Sequence, residues 1–158
     1  MNNDCDTCKE VKENSPTILK CSSPNSSVIT TVPVGTPTPF TVATRALNKC
    51  GLSNSKVLLE FASNIIINEA FTGTIIFQVY KTCNNQVGPI PIGPAWVFSV
   101  TITETLPGVT ETFSFFVCDS NCCNDECCIY TVVATITATV VPTAININNA
   151  TLSAIVAG

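Results

Sequence analysis

The stretch CDSNCCNDECC runs from Cys118 to Cys128 and holds five of the chain's ten cysteines in eleven residues. Thiols at that density suit three chemistries: a soft-metal cage, a redox centre, or a set of disulfide staples. The chain contains no histidine. That removes Ser–His and Cys–His nucleophiles and a frequent metal ligand. Tetrahedral zinc needs four clustered ligands, commonly as two CxxC-type pairs, and C-x3-CC-x3-CC is neither a ribbon nor a finger spacing. Five thiolates with Asp119, Asp125 and Glu126 could still hold a soft metal, so metal sequestration stands as the alternative reading. Cys5-Asp-Thr-Cys8 has redox CxxC spacing, but that motif works at a helix N-terminus in a βαβ setting. Here it lies on a polar segment ahead of strand-patterned sequence.

Other catalytic signatures are absent. There is no nucleophile elbow, phosphate loop or dinucleotide fingerprint. Glu60, Glu69, Glu104 and Glu111 lie near strands, but none sits in a context that suggests paired-carboxylate chemistry. The expectation is a protein that is not an enzyme, with no cofactor, no resident metal and no small-molecule substrate.

The elements that must position the cysteines read as β-strands. Val57, Leu59 and Phe61 share one face of KVLLEFAS, and Ile75, Phe77 and Val79 share one face of GTIIFQVYKTC. WVFSVTIT and ETFSFFV alternate in the same way. In YTVVATITATV, Val132, Ala134, Ile136, Ala138 and Val140 face one side and mostly threonines the other. Shorter candidates are 18–20, 28–34, 40–47 and 144–156. VPVGTPTP (32–39) and VGPIPIGP (87–94) read as Pro/Gly connections or protected edges. About eight to ten strands without a convincing helix indicate an all-β, two-sheet β-sandwich of jelly-roll or Greek-key type. Residues 17–158 form that domain, and the polar residues 1–16 form an extended N-terminal connector arm.

Strand parity then orients the thiols. Cys128 shares parity with Tyr130 and Val132 and faces the core; Cys127 faces away. Cys83 has the parity of Ile75, Phe77 and Val79 and also faces inward. Cys118 has the parity of Thr112 and Ser114 and faces outward. Cys118 and Cys127 flank a loop that they could cross-link, with Cys122 and Cys123 at its tip. Connectivity does not follow from sequence.

Composition argues for self-association. Charged residues make up 11% of the chain and hydrophobic ones 46%, whereas soluble domains usually carry about 25% charge. A surface with so little charge is expected to be covered, and copies of the same chain can cover it. All seven basic residues lie at or before Lys81, and from Thr82 onward there are only acids. That polarity suits head-to-tail contact, and a heterologous contact that does not close generates a helical homopolymer. The net charge of −4 leaves no basic footprint for nucleic acid. No run of about 18 apolar residues exists to insert in a membrane. MNNDCDTCKEVKENSP lacks an apolar h-region, so the expectation is synthesis without a signal peptide. Disulfides are then at odds with a reducing cytosol, unless the parent cell releases the protein by lysis.

LEFASNIII (59–67), IIFQVYKTCNNQ (75–86), PIPIGPAWVFS (89–99), FSFFVCDSNCCNDECCIYTVV (113–133) and ININNATLSAIV (145–156) resemble a family of small cysteine-rich domains of unknown function from anaerobic spore-forming bacteria. More distantly, the layout resembles subunits of endospore appendages. Those are jelly-roll sandwiches with a cysteine-bearing N-terminal connector, polymerised by strand augmentation and intersubunit disulfides. The resemblance implies a structural subunit of a self-assembling extracellular filament on the spore surface. Cys5 and Cys8 would be the connector cysteines, with acceptors among Cys21, Cys50, Cys118 and Cys127. The resemblance also explains the missing signal peptide, because spore structures assemble inside the mother cell. Its connector cysteines are spaced rather than adjacent, and its central cluster is extra. A non-filamentous coat component is a further alternative.

Overall fold

Alternating apolar and polar side chains give each segment one face to bury, and two such sheets bury theirs against each other. A computed structural model describes residues 17–30, 32–48, 55–84, 86–103, 108–120, 127–140 and 144–157. They form nine strands: β1 (Ile18–Cys21), β2 (Asn25–Ile29), β3 (Thr38–Asn48), β4 (Lys56–Ile67), β5 (Phe71–Cys83), β6 (Ile90–Ile102), β7 (Val109–Asp119), β8 (Cys127–Val140) and β9 (Ile145–Ala157). The connector arm, residues 1–16, lies outside the described residues.

One sheet has the order β1-β9-β4-β7, with β2 also on β9; the other has the order β3-β8-β5-β6. Every pairing is antiparallel. β1 and β2 run along consecutive stretches of β9 and behave as one interrupted edge strand. At the interruption, Ser22 N–H donates to the Leu152 carbonyl at 3.0 Å and Leu152 N–H donates to Ser22 Oγ at 2.9 Å. Counting β1 and β2 as one strand leaves eight, paired first with last and so inward to the central β5–β6 hairpin. That order is a jelly roll, one of the two topologies that the strand count and turn spacing allow.

The core follows the parity of the sequence. Ile75, Phe77, Val79, Val132, Ala134 and Ile136 are fully buried. Aromatic rings join the sheets: Phe77 on β5 stacks with Phe113 on β7 at 4.7 Å, and Trp96 on β6 stacks with Phe115 on β7 at 4.0 Å. Phe61 on β4 lies 5.6 Å from Phe77 and 5.1 Å from Phe115.

Two boundaries differ from the sequence expectation. The strand expected at 28–34 is Asn25–Ile29 instead. Pro33 opens a tight turn after it, with Thr36 N–H on the Pro33 carbonyl at 3.2 Å and Gly35 at φ 71°. Of VGPIPIGP, residues 90–94 are not a connection: they open β6, a sheet edge, the other of the two readings. An edge strand can hold proline because its outer side needs no donor. The register shifts within this stretch, between Phe77 and Val79 of the partner strand. Gly93 sits there at φ 67°, and a Cβ on it would collide with the Val117 side chain of the facing sheet. Gln78 Nε2 closes the bulge by donating to the Ile92 carbonyl at 3.0 Å.

Candidate functional site

Lys81 follows the alternation of β5 into the core, between Val79 and Cys83. Asp119 does the same on β7, after Phe113, Phe115 and Val117. The two strands belong to different sheets, and the side chains meet between them. Lys81 Nζ lies 2.8 Å from Asp119 Oδ2, with side-chain exposures of 4% and 2%. Tyr130, the cross-strand partner of Lys81 on β8, donates its phenol to the same Oδ2 at 2.7 Å. A lysine is almost never this buried without a partner, because two desolvated charges must each recover several kcal/mol.

A disulfide lies beside this cluster. Cys83 and Cys128 are Cα partners in the β5–β8 ladder and are bonded, with a Cα–Cα distance of 4.1 Å. Both face inward as parity predicts. The bond spans 45 residues of sequence, so its main effect is to restrict the unfolded chain. Cys83→Ala/Cys128→Ala is therefore expected to lower stability by about 2–4 kcal/mol, read as a fall in the urea midpoint. A midpoint equal to wild type would show that the bond constrains nothing.

Cys127 departs from expectation. It has the outward parity but is buried opposite Asn48 of β3, and it is disulfide-bonded. Its partner lies outside the described residues. Cys118 is a free, exposed thiol, so the anticipated Cys118–Cys127 loop cross-link is not made. β7 continues through Cys118 to Asp119, which carries Cys118 on an outward position instead of into the loop. Cys5, Cys8, Cys50, Cys122 and Cys123, with Asp125 and Glu126, fall outside the described residues. Among the described residues there is no group of three or more Cys, Asp or Glu that could hold a metal.

Cys21 is also free and exposed. The register places both free thiols on the outer face of the same sheet. One row reads Leu19, Ile155, Leu58, Cys118, and the next reads Cys21, Ser153, Glu60, Phe116. Cys21 lies on one edge strand and Cys118 on the other. Three strand spacings separate them, about 14 Å, and a disulfide needs Cα atoms within about 7 Å. They cannot pair within one chain. Between them the face is partly apolar: Leu19 is 64% exposed and Phe116 70%. A shallow depression of about 300 Å³ lies here, lined by Glu60, Ala62, Ser114, Phe116, Thr151 and Ser153 among others.

Residues 15–157 match a family described as a domain of unknown function (DUF4489). This chain belongs to the DUF4489 family. No curated protein matches it. Among solved structures, that of infectious bursal disease virus Gx strain aligns over 99% of this chain and 45% of that chain, at 7% identity and a TM-score of 0.35. A likeness that slight carries no argument, and the fold of the DUF4489 domain rests on its own strand pairing.

The inter-sheet cluster of this DUF4489 domain went unnoticed in the sequence, although a signal was there. Lys81 and Asp119 each extend a run of inward apolar positions by one more step of two. A charged residue in such a run, as Lys81 before Cys83, or at its end, as Asp119, reads first as the point where a strand leaves the core. Here both strands stay inside.

Proposed function

We propose that this chain is a structural subunit of a self-assembling extracellular filament of the endospore surface, made covalent by intersubunit disulfides. The observation that carries the reading is the pair of free, exposed thiols on one sheet face, at opposite edges, too far apart to join each other. The three other described cysteines are bonded. A chain that closes its core with disulfides has met oxidising conditions, and free surface thiols there are candidates for bonding to another molecule.

A second copy is the partner that fits. The face between Cys21 and Cys118 has the apolar content of a contact surface, and the chain carries little charge to oppose stacking. β7 is an 11-residue edge strand without proline or lysine, two of the usual blocks to edge pairing. β6, the other edge on that side, carries Pro91 and Pro94. Strand addition at β7 would bring a neighbour's connector past Cys118. Cys5 or Cys8 of that connector would then bond Cys118, and Cys21 on the opposite edge would bond a further copy. Cys127, already bonded within the chain, is not available as an acceptor.

The test is a gel. Native material is alkylated to block free thiols, boiled in detergent, and run with and without reductant. A ladder that collapses to monomer only with reductant is expected, and Cys21→Ser/Cys118→Ser is expected to shorten it. Clean monomer in both lanes would remove the covalent mechanism.

A further inference from the structure

We infer that Lys81 and Asp119 condense to an intramolecular amide, a covalent tie between the two sheets of the sandwich. The inference is independent of polymerisation. It starts from the oddity of the pair. Only seven residues of the chain are basic, and one of them lies in the core with its amine 2.8 Å from a carboxylate oxygen. An ion pair so deeply buried is weak as a stabiliser, because the desolvation of both charges offsets most of their attraction. A neutral product escapes that cost altogether.

The amine is held against the carboxyl group by the 2.8 Å contact of Nζ with Oδ2. Nζ and the carboxyl group are in contact, and reacting groups fixed at about 3–3.5 Å reach effective molarities of about 10⁵–10⁸ M. Both side chains are at most 4% exposed, so bulk water does not compete at the site. Tyr130 is fully buried and holds Oδ2 with its phenol at 2.7 Å. That donor is placed to stabilise negative charge on Oδ2 as the tetrahedral intermediate forms.

The step balances without any other reactant. One ammonium proton passes to Oδ1, and the freed Nζ lone pair attacks Cγ and forms the N–C bond. Oδ2 takes the charge and stays in the hydrogen bond from Tyr130. The Cγ–Oδ1 bond then breaks, and Oδ1 leaves as water with two protons from the lysine ammonium. The third proton remains on the amide nitrogen. Nothing is oxidised or reduced.

The tie would do what neither the core nor the described disulfide does. Cys83–Cys128 joins β5 to β8 within one sheet. Lys81–Asp119 joins β5 to β7 across the sandwich, so the two sheets could not be pulled apart without breaking a covalent bond. An amide also survives reductants that open disulfides.

The experiment is mass spectrometry of the wild-type chain after full reduction and alkylation. The expected intact mass is one water below the sequence value. Trypsin cuts after Lys56 and would normally release 57–81 and 82–158. With the amide in place, cleavage after Lys81 is blocked, and 57–158 remains one piece that lacks one water. Two variants locate the chemistry. Asp119→Asn is expected to condense with loss of ammonia instead of water. Tyr130→Phe is expected to slow the approach to the lighter mass after synthesis. A wild-type chain at its full sequence mass that is cut normally after Lys81 would overturn the proposal, leaving an ordinary buried ion pair. That measurement needs no variant to fold.

Discussion

Asp119→Ala is expected to lower stability by about 3–5 kcal/mol, the usual result of leaving one partner of a buried ion pair uncompensated. Two buried groups lose their partner at once. Lys81 Nζ loses the carboxylate 2.8 Å away, and the Tyr130 phenol loses its acceptor at 2.7 Å. A small cavity also opens between the sheets. Where the amide forms, its loss adds in the same direction. The measurement is urea unfolding under oxidising conditions, followed by Tyr130 and Trp96 fluorescence. The companion variant Lys81→Met/Asp119→Leu/Tyr130→Phe removes these three polar members together. It is expected to recover much of the loss, because apolar replacement of a whole buried polar set is often neutral or better. If Asp119→Ala instead stays within about 0.5 kcal/mol of wild type, as surface changes do, the pair is solvated and the burial argument is wrong.

Phe77→Ala should be of similar size, about 3–5 kcal/mol, as for other buried aromatic truncations. Phe77 is fully buried on β5 and touches rings from the opposite sheet, Phe113 at 4.7 Å and Phe61 at 5.6 Å. Truncation therefore removes the ring that locks the sheets in the middle of the sandwich. Strands on both sides are held in ladders and cannot collapse far into the gap, so the cavity term stays large. Phe116→Ala is the matched control. That ring lies on the outer face and is 70% exposed, so the monomer is expected to change by about 0.5 kcal/mol or less. Equal losses for the two variants would mean that the inward and outward faces have been assigned wrongly.

Under the proposed function, the inter-sheet cluster and the outer face would serve two different junctions. Ring stacking and the Lys81–Asp119 contact join the sheets of one subunit. Among the described residues, the free thiols Cys21 and Cys118 are the groups that could join one copy to the next. Cys83–Cys128 serves neither junction directly, since it lies within a single sheet. It closes the β5–β8 ladder beside the cluster and shortens the unfolded chain.

The sequence by itself determined which residues face inward, because strand parity is a local property with a period of two. Ile75, Phe77, Val79, Cys83, Cys128 and Tyr130 could be placed on the core side from the alternation alone, and the number of strands pointed to a sandwich. The tertiary structure alone decided who meets whom. Strand partners come from distant parts of the chain, so the register that sets Cys83 against Cys128 is invisible in either segment. The same holds for β5 and β7, which bring Lys81 to Asp119 only because they lie in different sheets that face each other. Cys21 and Cys118 look equivalent to any other exposed thiols until the sheet order puts them on one face at opposite edges. VGPIPIGP reads as a turn or a protected edge by composition, and residues 90–94 open a strand because β6 ends up on an edge, where proline leaves no ladder bond unmade. Parity travels with the backbone, whereas pairing depends on closing long loops around a shared core, and that information is spread over the whole chain.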